Sequence, residues 1–104
     1  MPSVLTPDAP NLFPNAGNAQ KIIDIITAEE NKPTLFWCDN GNKPVEFASF
    51  LPYLSIGDVI AVHDWGNEFG PADIPTSMAH RLKMLYVSEC EDIRALTRWW
   101  EIVA

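Results

Sequence analysis

A chain of 104 residues, 47% apolar and 20% charged, is long enough for one small domain with its own core. Its formal charge of −7, with no basic cluster along the chain, argues against a phosphate-backbone partner such as nucleic acid. Two cysteines, Cys38 and Cys90, are too few for a disulfide framework, and no stretch reads as a signal peptide or a membrane span, so the expected location is cytoplasmic.

In chain order, residues 1–17 hold Pro2, Pro7, Pro10 and Pro14 and read as an irregular segment preceding a domain over 18–104. Asn18 is a candidate cap for a helix whose stripe is Ala19, Ile22, Ile23 and Ile26, ended by residues 31–33. Thr34–Cys38 is a continuous apolar run of the kind found in strands buried on both faces, which reads Cys38 as a buried thiol. Residues 39–42 are a polar turn. Pro44 suits a first helical turn, Phe47, Ala48, Leu51 and Leu54 mark one helical face, and Pro52 tightens or breaks that helix. Val59–Val62 is a second buried strand, and residues 63–74 form a loop with Gly66, Gly70 and Pro71. A further helix is expected from Pro75 or Thr76 to about Met84, a short strand over 85–88, a polar turn over 89–92 and a last strand over 94–103.

The two apolar runs each end on an acid, Asp39 and Asp64, with one helix-sized segment between them. A parallel crossover delivers both strand C-termini to the same edge of the sheet, about 5 Å apart, where open α/β sheets keep their ligands. Two carboxylates with the imidazole of His63 suit a hard divalent cation such as Mg²⁺, or proton transfer. The plainer alternative is that the aspartates bond loop amides at the strand ends. His63 and Asp64 share a ligand only if the strand has already ended, because neighbours on a strand point to opposite faces. Glu68 is a candidate further oxygen ligand, against a solvated loop acid. Asn40, Asn42 and Lys43 are candidates for contact with a polar ligand, against turn chemistry and helix capping. Trp65 either walls a pocket for a flat ligand or anchors its loop on the core. Trp99 and Trp100 face opposite sides of the last strand and are both core residues if both faces carry helices. Arg98 is a candidate partner for a buried acid, and His80 is expected to be exposed. The sequence has no metal-thiolate spacing, no P-loop, no G-x-S-x-G elbow and no G-x-G.

The runs C-D-N-G-N-K-P followed by E-F, then L-x-x-G-D-V-I-A-V-H-D-W-G-N-E, and finally L-T-R-W-W resemble class I S-adenosylmethionine-dependent methyltransferases. The branch resembled is that of macrolide-sugar O-methyltransferases and cephalosporin-hydroxylase-like proteins, over residues 18–103. The resemblance implies an α/β Rossmann-like sheet, of order 3-2-1-4-5-7-6 in the whole family. Here it would be reduced to the C-terminal half in the order 4-5-7-6, with the last strand antiparallel and helices on both faces. Thr34–Cys38 and Val59–Val62 take the places of the family's fourth and fifth strands. It further implies catalytic roles for His63 and Asp64, a cofactor-binding role for Asp39, Asn40 and Trp65, and Mg²⁺ on Asp39 and Asp64. His63 stands where metal-dependent relatives carry the second acid of a pair. The family's glycine-rich loop after strand 1 and the acid after strand 2, which grip S-adenosylmethionine, have no counterpart in this sequence. The expectation is therefore a transferase half-domain, inactive alone and completed by an N-terminal half, with an unknown small-molecule acceptor. Self-association through the edge of strand 34–38 is expected, unless an N-terminal segment folds over that edge. The competing readings are a non-catalytic α/β binding or assembly module, or a folded remnant.

Overall fold

A computed structural model describes residues 3–5, 16–39 and 42–104. A mixed sheet forms from β1 (Ser3–Leu5), β2 (Thr34–Cys38), β3 (Val59–Val62), β4 (Leu82–Leu85) and β5 (Arg98–Ile102), in the order β1-β2-β3-β5-β4. β1, β2 and β3 are parallel neighbours, and β5 runs antiparallel to both β3 and β4. The helices are α1 (Ala16–Thr27), α2 (Lys43–Phe50) and α3 (Val87–Ile93). No described helix is long and apolar enough to cross a membrane.

The β2–α2–β3 unit forms where the sequence puts it, with Leu35 opposite Val59 and Cys38 opposite Val62. Pro44 lies in the first turn of α2, and the helix gives way to a 3-10 turn at Leu51–Tyr53 around Pro52, whose ring cannot continue an α-helical ladder. Ile22 and Ile26 of α1 and Phe47 and Phe50 of α2 pack with Phe36, Cys38, Ile60, Val62, Trp100 and Ile102 into one core. These strand residues alternate along β2 and β5, so both helices lie on the same face of the sheet.

The other face departs from expectation. No described helix packs its buried side chains there, and Leu35, Trp37, Val59 and Trp99 are only half-buried. The expected helices on both faces are therefore not found among the described residues. Cys90, the buried residue of α3, turns toward the Thr97 carbonyl at the end of the sheet. Trp99 and Trp100 do face opposite sides: Trp100 is in the core, while Trp99 meets Trp37 edge-on at 5.5 Å. Ala61 lies between them in the cross-strand row and is fully buried, because the two indoles close over the smallest side chain of that row.

Further expectations are corrected. Ser3–Leu5, expected to be irregular, is a strand; Pro2 and Pro7, which have no N–H to offer a ladder, bracket it. It pairs with Thr34–Phe36, so an N-terminal segment lies along this edge of β2, the alternative weighed beside self-association. The first helix begins at Ala16, so Asn18 is not its cap and the boundary at residue 18 falls inside it. The helix expected over 75–84 is absent. Only a 3-10 turn at Ala79–Arg81 precedes β4, because Leu82–Leu85 pairs with the aromatic strand β5, Met84 facing Trp100. The strand expected over 85–88 thus lies three residues earlier, and the polar turn expected over 89–92 is helix α3. The last strand begins only at Arg98, after Arg94 has turned the chain through a left-handed conformation (φ 51°).

Candidate functional site

The C-terminal edge of β2 and β3 gathers the charged residues that the sequence singles out. The strand pairing ends at Cys38 and Val62, and the His63 N–H continues it for one more bond by donating to the Cys38 carbonyl at 3.2 Å. The next residue, Asp64, has φ 64°, a left-handed backbone rare for residues other than glycine. The strand has therefore ended, and the alternation that would send His63 and Asp64 to opposite faces no longer applies. Their side chains meet, with His63 Nδ1 3.1 Å from Asp64 Oδ1 and 3.6 Å from Asp39 Oδ1. The two strand-end aspartates thus converge on one imidazole. Such strain at a cluster of titratable groups is a recurrent mark of functional sites.

The loop after Asp64 is held tightly. The Asp64 carbonyl accepts from the N–H groups of Asn67 and Glu68, both at 3.1 Å, and the Gly66 N–H donates to the Phe69 carbonyl at 2.8 Å. Gly66, at φ 84°, supplies the positive φ this turn requires. The Trp65 indole packs against Phe69 and Trp100, with the Arg98 guanidinium 5.4 Å from its centroid. Of its two alternatives, Trp65 anchors the loop on the core. Arg98 also meets the exposed Glu91 at 3.1 Å and donates to the carbonyls of Ala95 and Cys90, which accounts for its burial. His80 is exposed.

Lys43, at the start of α2, completes the cluster. Its side chain is 4% exposed, and Nζ lies 2.5 Å from Glu68 Oε2 and 3.3 Å from Asp64 Oδ2. Burial alone would lower its pKa, but hydrogen bonds and charge from Glu68 and Asp64 outweigh burial and hold it above the ordinary lysine value. For Asp64 the burial effect is upward; the Lys43 hydrogen bond and the His63 and Lys43 charges overcome it and hold the carboxyl below the usual range. Glu68 is an ion-pair partner of Lys43, beyond the solvated acid or ligand weighed from sequence. The sequence carried no signal for this role of Lys43, since the pairing depends on how the 64–69 turn folds back over α2. Asn40 lies outside the described residues.

A second residue hidden from the sequence is Glu46, fully buried on α2. Burial, followed by the Glu46 charge, pushes the Cys38 thiol well above its ordinary value, so Cys38 is the buried thiol expected and not a nucleophile.

The donor set does not suit a divalent cation. Asp64 already shares its charge with the Lys43 ammonium, and among the described residues no group of three His, Cys, Asp or Glu is arranged to hold a metal ion. What remains chemically is a histidine–carboxylate pair: an Nδ1–H donating to Asp64 leaves Nε2 free to accept a proton. Of the residues considered for S-adenosylmethionine, Trp65 packs against the core and Asp39 lies beside His63. An open groove of about 460 Å³ lies among Leu35, Val59, Leu85, Tyr86 and Trp99. Comparison with protein-family models, curated proteins and solved structures finds no match to this chain.

Proposed function

We propose that the chain is a class I S-adenosylmethionine-dependent methyltransferase-like half-domain, without methyl transfer of its own, that works as one part of a larger assembly. The observation that carries the reading is the strand order β2-β3-β5-β4 with β5 antiparallel, together with acids from the ends of both β2 and β3 meeting at His63. This is the arrangement implied by the motif resemblance for a Rossmann-like C-terminal half. β1 fits the same reading: it lies parallel beside β2, where the family places its first strand, but is three residues long. In the completed assembly the His63–Asp64 pair accepts a proton from the acceptor's hydroxyl as the methyl group arrives, and Asp39 steadies the imidazole. Mg²⁺ is not part of this reading, because Lys43 supplies the positive charge. A complementary half supplies the grip on S-adenosylmethionine. Two buried free thiols accord with a cytoplasmic setting.

Titrating S-adenosylmethionine to millimolar concentration into isotope-labelled chain, followed by amide NMR, tests this. The expected result is weak shifts at Asp39, His63, Asp64 and Trp65. Shifts scattered elsewhere, or none at this edge, would leave the assembly module as the better reading. The engagement of Asp64 by Lys43 already favours that alternative, since it neutralises a carboxylate without any ligand.

A further inference from the structure

The His63–Asp64 pair sits between contacts to a single short segment of chain. On its N-terminal side Val62, the last residue of β3, is the cross-strand partner of Arg98, the first residue of β5. On its C-terminal side the Trp65 N–H donates to the Leu96 carbonyl at 2.8 Å. His63 and Asp64 are therefore strung between fixed points, and Asp64 takes up the bend at φ 64°. A residue other than glycine stays in such a conformation only where its surroundings over-determine it.

Arg98 ties these surroundings together. Its side chain is 3% exposed, so its charge is held almost out of water and must be satisfied where it lies. Nε donates to the Ala95 carbonyl at 3.1 Å, Nη2 donates to the Cys90 carbonyl at 3.4 Å, and Nη1 lies 3.1 Å from Glu91 Oε1. These anchors belong to α3 and to the turn that follows it, and the bond to Ala95 fixes the turn that carries Leu96. The same guanidinium lies over the Trp65 ring, 5.4 Å from its centroid, which is the stacked use of an arginine fork. Trp65 is thus gripped at its N–H by Leu96 and at its ring by Arg98, while Phe69 and Trp100 are further neighbours of the ring. Because Trp65 follows Asp64 directly, a shift of its backbone turns Asp64 and carries the carboxylate away from His63 Nδ1, which it meets at 3.1 Å.

We infer that Arg98 is a positioning residue for the His63–Asp64 pair: by clamping Trp65 against the turn after α3, it holds Asp64 in the left-handed conformation that presents its carboxylate to His63 Nδ1. The inference rests on the reading of His63 and Asp64 as the proton-accepting pair. It gives Arg98 a role beyond its ion pair with Glu91, exercised through Trp65 and not on the reacting atoms.

The test uses the full chain, without S-adenosylmethionine, and the variants Arg98→Met and Arg98→Lys. NMR reads the site through the ring nitrogen shifts of His63, which give its tautomer, through the intraresidue amide–Hα cross-peak of Asp64, which is strong where φ is positive, and through exchange of the Trp65 amide. In the wild type His63 carries its proton on Nδ1, the Asp64 cross-peak is strong, and the Trp65 amide is protected like those of β3. Arg98→Met should move His63 toward the Nε2–H form, weaken the Asp64 cross-peak and speed Trp65 exchange about tenfold, within the range that loss of one desolvated cation–π contact brings. The core amides of Phe36 and Ile60 should keep their shifts. Arg98→Lys keeps a cation but not the fork, and should fall between wild type and Arg98→Met. A merely structural Arg98 would lower Tm and leave the His63, Asp64 and Trp65 signals of the folded protein unchanged, and that result would overturn the inference. A changed tautomer with Asp64 and Trp65 as in the wild type would overturn it too, by assigning the effect to the charge of Arg98. If Arg98→Met does not fold, Arg98→Lys is read by the same signals, and an unprotected Trp65 amide in the wild type overturns the inference whatever the variants do. S-adenosylmethionine enters none of these readouts, so failure here is separable from failure of the methyltransferase-like reading.

Discussion

Asp58 is a buried fastener of the β2–β3 pairing, and replacing it should destabilise the chain. It immediately precedes β3, is 1% exposed, and accepts from the Thr34 N–H and the Ser55 N–H, both at 2.8 Å, while Lys32 Nζ lies 2.5 Å from Oδ2. Asp58→Ala strands the buried Thr34 donor, a loss of about 1–3 kcal/mol. Ser55 is exposed, so water takes over its donor, and Lys32, 16% exposed, can swing outward. Losing the charge-assisted Lys32 contact as well brings the total to about 3 kcal/mol, at the lower end of the about 3–5 kcal/mol seen when one partner of a buried pair is removed. For a domain of this size that lowers Tm by about 12–24 °C. Asp58→Asn keeps an acceptor for Thr34 and should lose about half as much. Urea and thermal unfolding followed by circular dichroism measure both variants. An Asp58→Ala protein within about 1 kcal/mol of wild type, at an unchanged denaturant slope, would refute this account of how β2 and β3 are joined.

Ala61→Leu should push apart the Trp37–Trp99 pair and destabilise by about 1–3 kcal/mol through overpacking, with a changed near-UV tryptophan signal; an unchanged signal would mean the indoles do not close over Ala61. The carboxyl carbon of Asp64 should titrate below the ordinary aspartate value of about 3.9 and move up in Lys43→Met. Because the folded pKa is depressed, this carboxylate's contribution to stability is present above that value and is lost as pH falls through the folded pKa. For Lys43, held high, the sign is opposite: its contribution is present below about 10.4 and lost as pH rises through its folded pKa. Millimolar Mg²⁺ should leave the loops at Asp39 and Asp64 unmoved in the wild type and perturb them in Lys43→Met; equal response in both would restore the divalent site. Neutral His63 should carry its proton on Nδ1, read from ring nitrogen shifts, and revert to the commoner Nε2–H form in Asp64→Ala; an Nε2–H wild type would contradict the dyad.

The sequence was most legible where local and tertiary demands agree. The runs Thr34–Cys38 and Val59–Val62 are apolar throughout and bounded by turn residues, so strand formation, burial and the convergence of Asp39 with Asp64 follow from one pattern. It was least legible where pairing overrides local preference. Residues 82–85 become a strand because β5 offers an aromatic partner, and Val87–Ile93 becomes a helix although its polar run reads as a turn. Asp58 reads as a turn acid beside Gly57, yet it bonds across to β2, a contact set by register alone. Lys43 and Glu68 are 25 residues apart, so their ion pair appears only once the loop after Asp64 has folded back. That no described helix packs on the second face is invisible in a run such as Leu35–Trp37, since an apolar strand buried on both faces and one half-buried on one face carry the same residues.

The central claim is that this chain holds only part of a methyltransferase-like site, and calorimetric titration of S-adenosylmethionine into the isolated chain tests it most directly. An incomplete half gives no saturable heat in the micromolar range and no transfer of a labelled methyl group to any added acceptor. One-to-one micromolar binding, weakened by Asp64→Ala, would show instead that this chain carries a complete cofactor site and would contradict the account.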